Sequence, residues 1–379
     1  MKRIFSTLLL ATLLLLLTPS FSAEISCSAR GAVVMEACSE KTLFEHNPDL
    51  PLPEASTTKI MTALLVLESV SPDCRFRVSA KAASVEGSQL GLKAGEELSV
   101  QDLLYVLMMK SGNDAAVVLA EGVSGSEGVF VEKMNEKATE LGLTQTHFKN
   151  PHGLPAEGHQ TTARELAILT AEALENEGFR NLVSTQTARL EYKDMILSNS
   201  NKLLYTCDGV FGVKTGFTKK AGRCLVSAAE RKGVVLICVT LNDGNDWEDH
   251  ANLYDACFAR VSRRSVIHQG EYHVTVPVLD GDGNAVLRNT LPLTSVFIDE
   301  FPIDTSLIPK TVPMTFAPVG DNITLGYLFL LSEKGRQIDC IPLNTVTKVE
   351  QKKEERTFGG TFLLKLRKLW RALTSETAF

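Results

Sequence analysis

The sequence predicts an α/β protein in which an antiparallel sheet is flanked by helices, followed by a β-rich segment and an amphipathic tail helix. Three observations predict this. Short apolar runs are joined through turn residues in two places, residues 31–45 and 224–241, as antiparallel hairpins are. Between those places, residues 55–68 and 97–121 carry apolar side chains at helical spacing. Beyond Ser262 the composition shifts to short alternating runs separated by turn residues.

With 379 residues the chain has room for two or more domains, each with its own core. A net charge of -6 does not point to nucleic acid as a partner. Lys2 and Arg3 precede an almost continuous apolar run, residues 8–17, and Thr18-Pro19-Ser20-Phe21-Ser22-Ala23 follows it. That is the build of a secretory signal, cleaved between Ser22 and Glu24. The run is short for a retained anchor, so residues 1–23 are assigned to the signal and the working part of the chain to the outside of the cytoplasm. The eight cysteines are scattered without C-x-x-C pairs, and Cys238 falls in an apolar run that suits a buried thiol. His152 and His159 have no Cys, Asp or Glu at zinc-ligand spacing beside them and read as loop histidines. No metal and no cofactor is expected.

Taken in order, residues 31–36 and 42–45 read as two strands of a hairpin around Ser39-Glu40-Lys41. Pro51 and Pro53 break the chain before a helix over residues 55–68, ASTTKIMTALLVLE, in which Ile60, Ala63, Leu64 and Leu67 give one buried face. Ser56 opens that helix and Lys59 lies three residues on, at the same face. The pair sets a nucleophile beside a base, although by itself a serine at a helix start is as well explained as a cap. Farther on, Ser99 with Asp102 resembles a capping box, and Leu103, Leu104, Leu107 and Met108 form a buried face. That helix stops at Ser111-Gly112-Asn113 and a second runs from Asp114 to about Glu121; a plain interhelical turn uses the same residue types.

Residues 150–160 form a Pro- and Gly-rich loop, and helix returns over 161–176, where Glu172 and Asn176 read as a solvated face. Lys214 stands on or beside a strand, within Gly212-Val213-Lys214-Thr215-Gly216. Val213 occupies the position where a phosphate loop needs glycine, which argues against nucleotide binding. The hairpin of residues 224–241 follows, and a helix over 246–259 closes this part.

No single motif decides a function. Together and in order, Ser56-x-x-Lys59, Ser111-x-Asn113 and Lys214-Thr215-Gly216 are the combination of penicillin-binding proteins and class A β-lactamases. Residues 31–259 resemble the D-alanyl-D-alanine carboxypeptidases, the low-molecular-mass penicillin-binding proteins, and ASTTKIMTALL, MMKSGNDAA, NPHGL and VKTGFTKKAGRCLVSA all look like that family. The resemblance implies a β-lactamase/transpeptidase-like domain over residues 24–262. It also implies a serine carboxypeptidase that acts on a peptidoglycan stem peptide ending in D-Ala-D-Ala and is acylated by β-lactam antibiotics. Ser56 is then the acyl-ester nucleophile, Lys59 the general base and Ser111 a proton relay, with Asn113 holding the peptide amide. Lys214, Thr215 and Gly216 bind substrate, and the backbone N–H groups of Ser56 and Phe217 hold the oxyanion. Arg223 is the nearest candidate for a further carboxylate-binding residue. A D,D-endopeptidase shares these motifs, a β-lactamase would add a hydrolytic Glu that is not evident here, and a penicillin-binding receptor would acylate without turnover.

After Ser262, residues 272–278, 312–316 and 323–329 alternate, and the family resemblance implies a small β-sandwich over residues 265–346. Asp280-Gly281-Asp282-Gly283-Asn284 starts like a calcium loop, but Ala285 stands where Gly is needed and Leu291 where the closing Glu belongs, so a hairpin turn is expected. A charged linker, residues 348–356, leads to a segment in which Phe362, Leu366, Leu369, Trp370 and Leu373 line one helical face and Lys365, Arg367, Lys368 and Arg371 lie around the other. Too short and too charged to span a bilayer, it suits a helix lying in the membrane interface. The expected location is the outer face of the cytoplasmic membrane, with the membrane surface as a partner.

Overall fold

The structure, a computed structural model, describes residues 26–37 and 40–261 and the strands that lie between residues 263 and 345. Two short ribbons, β3 Arg75–Arg77 with β4 Glu97–Ser99 and β5 Thr187–Arg189 with β6 Ile196–Ser198, lie apart from the main sheet. That sheet runs in the order β2-β1-β9-β8-β7 and consists of β1 Gly31–Glu36, β2 Thr42–His46, β7 Val210–Thr218, β8 Gly222–Arg231 and β9 Val234–Leu241. Both expected hairpins are present and antiparallel, with Val33 opposite Glu45 and Ala228 opposite Ile237. The pairing of Val34 with Cys238 joins them, and no local pattern signals it.

The helices are α1 Lys59–Ser69, α2 Ala80–Ala83, α3 Val100–Met109, α4 Asn113–Ser124, α5 Glu127–Glu140, α6 Ala163–Glu175, α7 Glu177–Ser184, α8 Leu203–Thr206 and α9 Asp246–Phe258. They cover both faces of the sheet. Val33, Met35, Val226 and Val239 pack into the helical core around α1, whereas Val34, Leu225, Leu236 and Cys238 pack on Leu253, Tyr254 and Cys257 of α9. This is why β1 and β9 read as continuous apolar runs rather than as alternating ones. β7 remains the edge strand beside the helical core.

Three local expectations are corrected. The helix expected from residue 55 opens as a 3-10 turn, Ala55–Thr58, and α1 is buried on every side from Lys59 to Val66 rather than on one face. Enclosure of a polar side chain there requires a partner, and the Thr62 hydroxyl donates to Pro151 O at 2.6 Å. Ser99 does cap α3, accepting from Asp102 N, but the Asp102 carboxylate turns away to accept from Glu191 N and Tyr192 N, so only half of a capping box forms. Asn176 is not on a solvated helix face: it ends α6 and caps α7, its Oδ1 accepting from Phe179 N at 3.1 Å.

Beyond α9, β10 Arg263–Ile267 pairs with β13 Val296–Asp299. A second sheet of β11 Val274–Leu279, β12 Ala285–Pro292, β14 Lys310–Pro313, β15 Thr324–Leu331 and β16 Gln337–Thr345 runs in the order β11-β12-β16-β15-β14. The alternating runs of residues 272–278, 312–316 and 323–329 overlap β11, β14 and β15; β10, β12, β13 and β16 are further strands. The expected turn at residues 280–284, the export signal at 1–23 and the linker and tail helix at 347–379 lie outside the described residues. Among the described residues no helix is long and apolar enough to cross a membrane.

Candidate active site

Ser56 is half-buried in the 3-10 turn that precedes α1. Local hydroxyls tie this turn: Glu54 O accepts from Thr57 Oγ1 at 2.7 Å and Ala55 O accepts from Thr58 Oγ1 at 2.9 Å. Ala55 pays for the shape with φ of +51°, an uncommon value for a residue bearing a Cβ. The loop of residues 150–160 folds beneath the turn. At Gly153, with φ of +87°, an added Cβ would stand 1.8 Å from Ala55 O, so only glycine lets the loop close on the turn that carries Ser56.

That loop also brings both histidines inward, and they are buried rather than displayed. His159 Nδ1 accepts from Lys149 N at 3.1 Å, which puts its proton on Nε2. Nε2 lies 2.9 Å from Thr58 Oγ1 and 3.0 Å from Glu54 Oε1. The Glu54 carboxyl is fully buried and forms no hydrogen bond among the described residues, so its link to His159 is an electrostatic contact and the N–H serves Thr58.

Lys59, the first residue of α1, is wholly buried, and its Nζ reaches Ser56 Oγ at 3.0 Å, Asn113 Oδ1 at 2.8 Å and His152 O at 2.6 Å. Burial, and after it the nearby Lys214 charge, push the Lys59 amine well below its ordinary 10.5, while Asp114 pulls the other way. Burial holds the His152 ring down at about 3, with the Lys59 charge adding to it, so this ring is neutral at pH 7.

β7 forms the other wall. Lys214 is buried on it, donates to Thr215 O at 2.9 Å and is lowered by burial to about 7. Gly216 lies against the turn that carries Ser56: a Cβ there would be 3.1 Å from Ser56 N and 3.1 Å from Glu54 O. The tight approach at Gly216 is therefore to the protein's own turn. Phe217 is 65 % exposed, and Thr215 half-buried. Ser111 stands at the α3–α4 corner with φ of +60°, and its hydroxyl has no hydrogen-bond partner among the described residues. Asn113 is engaged at both ends of its amide, since Nδ2 donates to Glu86 O at 2.6 Å. Arg223 is paired with Asp246 at 2.5 Å, so as it stands its guanidinium is already matched to a carboxylate.

The structure thus brings Ser56, Lys59, Asn113, Lys214 and Gly216 together. Sequence reasoning missed Glu54, His159 and the part played by His152. The His152 contribution is a backbone carbonyl, which no residue type announces; the burial of Glu54 could have been suspected from its place between Pro53 and the turn that carries Ser56.

Residues 18–245 match the family described as peptidase S11, D-alanyl-D-alanine carboxypeptidase. The D-alanyl-D-alanine carboxypeptidase DacF of Bacillus subtilis is 35% identical over 352 residues, which cover 87% of this chain and 90% of that one. Penicillin-binding protein D2 of Listeria monocytogenes, solved in its ampicillin-bound form, is 30% identical over 62% of this chain and 99% of its own, with a TM-score of 0.57. A peptidoglycan synthesis regulatory factor, PBP3, of Streptococcus pneumoniae aligns over 86% of this chain and 100% of its own with a TM-score of 0.68; at 23% identity this is a likeness of fold. With a family match over more than half of its length and a relative aligned along most of it, the chain belongs to the S11 family of serine-type D-alanyl-D-alanine carboxypeptidases.

Proposed function

We propose that Ser56 is the nucleophile and Lys59 the base through which this carboxypeptidase removes the terminal D-alanine of a peptidoglycan stem peptide. One observation carries the assignment. A neutral lysine amine has two N–H donors and one lone pair, and Lys59 Nζ meets two acceptors that cannot donate, Asn113 Oδ1 and His152 O. The lone pair then falls to Ser56 Oγ–H, 3.0 Å away. The lowered Lys59 pKa favours the free amine that can take that proton.

Ser56 Oγ attacks the carbonyl of the penultimate D-alanine as its proton passes to Lys59. The backbone N–H groups of Ser56 and Phe217 hold the negative oxygen, a role supported by the close approach of β7 to the turn. The bond to the last D-alanine breaks, and Ser111, whose hydroxyl is not otherwise committed, relays a proton from Lys59 to the leaving amine. Water then hydrolyses the ester and restores the serine. Lys214, Thr215 and Gly216 receive the terminal carboxylate along the edge of β7. Asn113 serves first to orient Lys59, and the second Nδ2 hydrogen remains for the peptide. β-Lactams, as the Listeria relative with ampicillin suggests, acylate the same serine.

Residues 265–346 are taken as the β-sandwich domain, and the segment at 358–379 as an amphipathic helix that holds the exported enzyme to the outer face of the cytoplasmic membrane. The test of the central assignment is intact mass after benzylpenicillin, with D-alanine release from a diacyl-D-Ala-D-Ala peptide. Wild type should gain one penicilloyl group and release D-alanine; Ser56→Ala should do neither. An adduct on Ser56→Ala would overturn the assignment, and an adduct without D-alanine release would point to a receptor.

A further inference from the structure

We infer that Asp114 is a positioning residue: its carboxylate holds residues 86–92 as a strap beside the catalytic cluster, and the strap locks the Asn113 amide that orients Lys59. Asp114 is 1 % exposed, in the first turn of α4. Its Oδ2 accepts from three successive backbone amides, Leu90 N at 2.9 Å, Gly91 N at 2.9 Å and Leu92 N at 3.2 Å. Amides of an irregular segment have no ladder to join, so a buried carboxylate that collects three of them decides where the segment lies.

The other end of the strap meets Asn113. Glu86 O accepts from Asn113 Nδ2 at 2.6 Å and Ser88 O accepts from Asn113 N at 2.7 Å. Between those residues, a Cβ added to Gly87 would stand 2.7 Å from Asn113 Nδ2 and 3.5 Å from Leu154. The strap therefore touches both the α3–α4 corner and the loop that supplies His152. Its consequence is chemical. An amide is nearly symmetric in shape, and only its partners decide which end faces the amine. With Nδ2 pinned to Glu86 O, Oδ1 must face Lys59 Nζ, and the amine's lone pair is left for Ser56. Without the strap the amide can turn its N–H groups toward Lys59, and that arrangement is lost.

Asp114 also acts on Lys59 as an anion, against the Lys214 charge from β7, while His152, neutral at pH 7, faces Lys59 from the loop. This gives a readout that a merely structural carboxylate would lack. The inference rests on Lys59 being the base, and the experiment separates the two. Benzylpenicillin acylation rates of the full chain are measured for wild type, Asp114→Asn, Asp114→Ala and Gly87→Ala, with hydrogen exchange at the amides of residues 90–92. Asp114→Ala is expected to lose protection at those amides and to acylate about 10²-fold more slowly, the cost of a misplaced catalytic group. Gly87→Ala leaves Asp114 intact at an exposed site and should slow acylation by lifting the strap from Asn113. Asp114→Asn should move the acid limb of acylation to lower pH, because a charge that favours the Lys59 ammonium is gone. Wild-type acylation in either folded variant, Asp114→Ala or Gly87→Ala, overturns the inference, as does an acid limb that does not move; should Asp114→Ala fail to fold, Gly87→Ala and the acid limb decide. Failure of wild type to acylate on Ser56 would instead overturn the assignment of the nucleophile.

Discussion

Replacing Lys214 by methionine should make the protein less active and more stable. Lys214 is 1 % exposed, and burial lowers its amine from 10.5 to about 7. At about 1.4 kcal/mol per unit, that gap means that folding around the ammonium below pH 7 costs about 5 kcal/mol more than folding around the free amine. Between the two values the unfolded chain binds more protons than the folded chain, so stability rises with pH across that window. Methionine has a similar length and no proton to lose. It forfeits the hydrogen bond to Thr215 O, worth about 1 kcal/mol. The variant should therefore exceed wild type by about 4 kcal/mol near pH 6, with the advantage shrinking and changing sign toward pH 10. The thiols of Cys224 and Cys238 and the Tyr254 phenol, all pushed up by burial, act in the opposite sense at high pH. They are common to both proteins and cancel in the difference. Urea midpoints of the pair, taken at unit steps of pH, measure it; a difference that does not change with pH would refute the account of Lys214 as a buried, destabilised cation.

The same site sets the pH dependence of chemistry. With Lys59 as the proposed base, acylation needs its free amine, so its rate should fall as pH falls through the lowered Lys59 pKa; in Lys214→Met, where the repelling charge is gone, the acid limb should move to higher pH, as stopped-flow acylation by a chromogenic β-lactam would read. Gly153→Ala forces a Cβ to within 1.8 Å of Ala55 O at a positive φ, and should destabilise the fold by about 2–4 kcal/mol and abolish acylation. A thermal melt and a penicillin-adduct assay check both, and wild-type values for either would contradict the packing of the loop on the turn. Removal of residues 357–379 should release the protein from vesicles containing anionic lipid without changing D-alanine release from a soluble peptide; flotation of the truncated chain with the vesicles would sink the membrane reading.

Elements with a local signature were legible in the sequence. The hairpins of β1–β2 and β8–β9 announced themselves by apolar runs around turn residues, and α9 by its periodicity. The three motifs were legible for a related reason: each puts distinctive side chains a few residues apart, and their order along the chain narrowed the family. The 3-10 opening of α1 was not legible, because it depends on the Thr57 and Thr58 hydroxyls turning back on the chain and on the loop of Gly153 pressing from below.

From the sequence alone come the α/β class with its antiparallel sheet and flanking helices, and the motifs on which the proposed joint chemistry of Ser56, Lys59, Ser111, Asn113 and Lys214 rests. Only tertiary structure decides the rest. Lys59 finds its acceptors in a side chain and a backbone carbonyl from distant segments, at His152 O and Asn113 Oδ1, and a carbonyl carries no residue signature. Gly216, expected among the substrate-binding residues, also lies where a Cβ would crowd the turn that carries Ser56. The charge state of Lys59 and Lys214 follows from how completely the fold removes them from water. Desolvation is a property of everything packed around a group, and that is settled only when β7, α1, α4 and the loop of residues 150–160 come together.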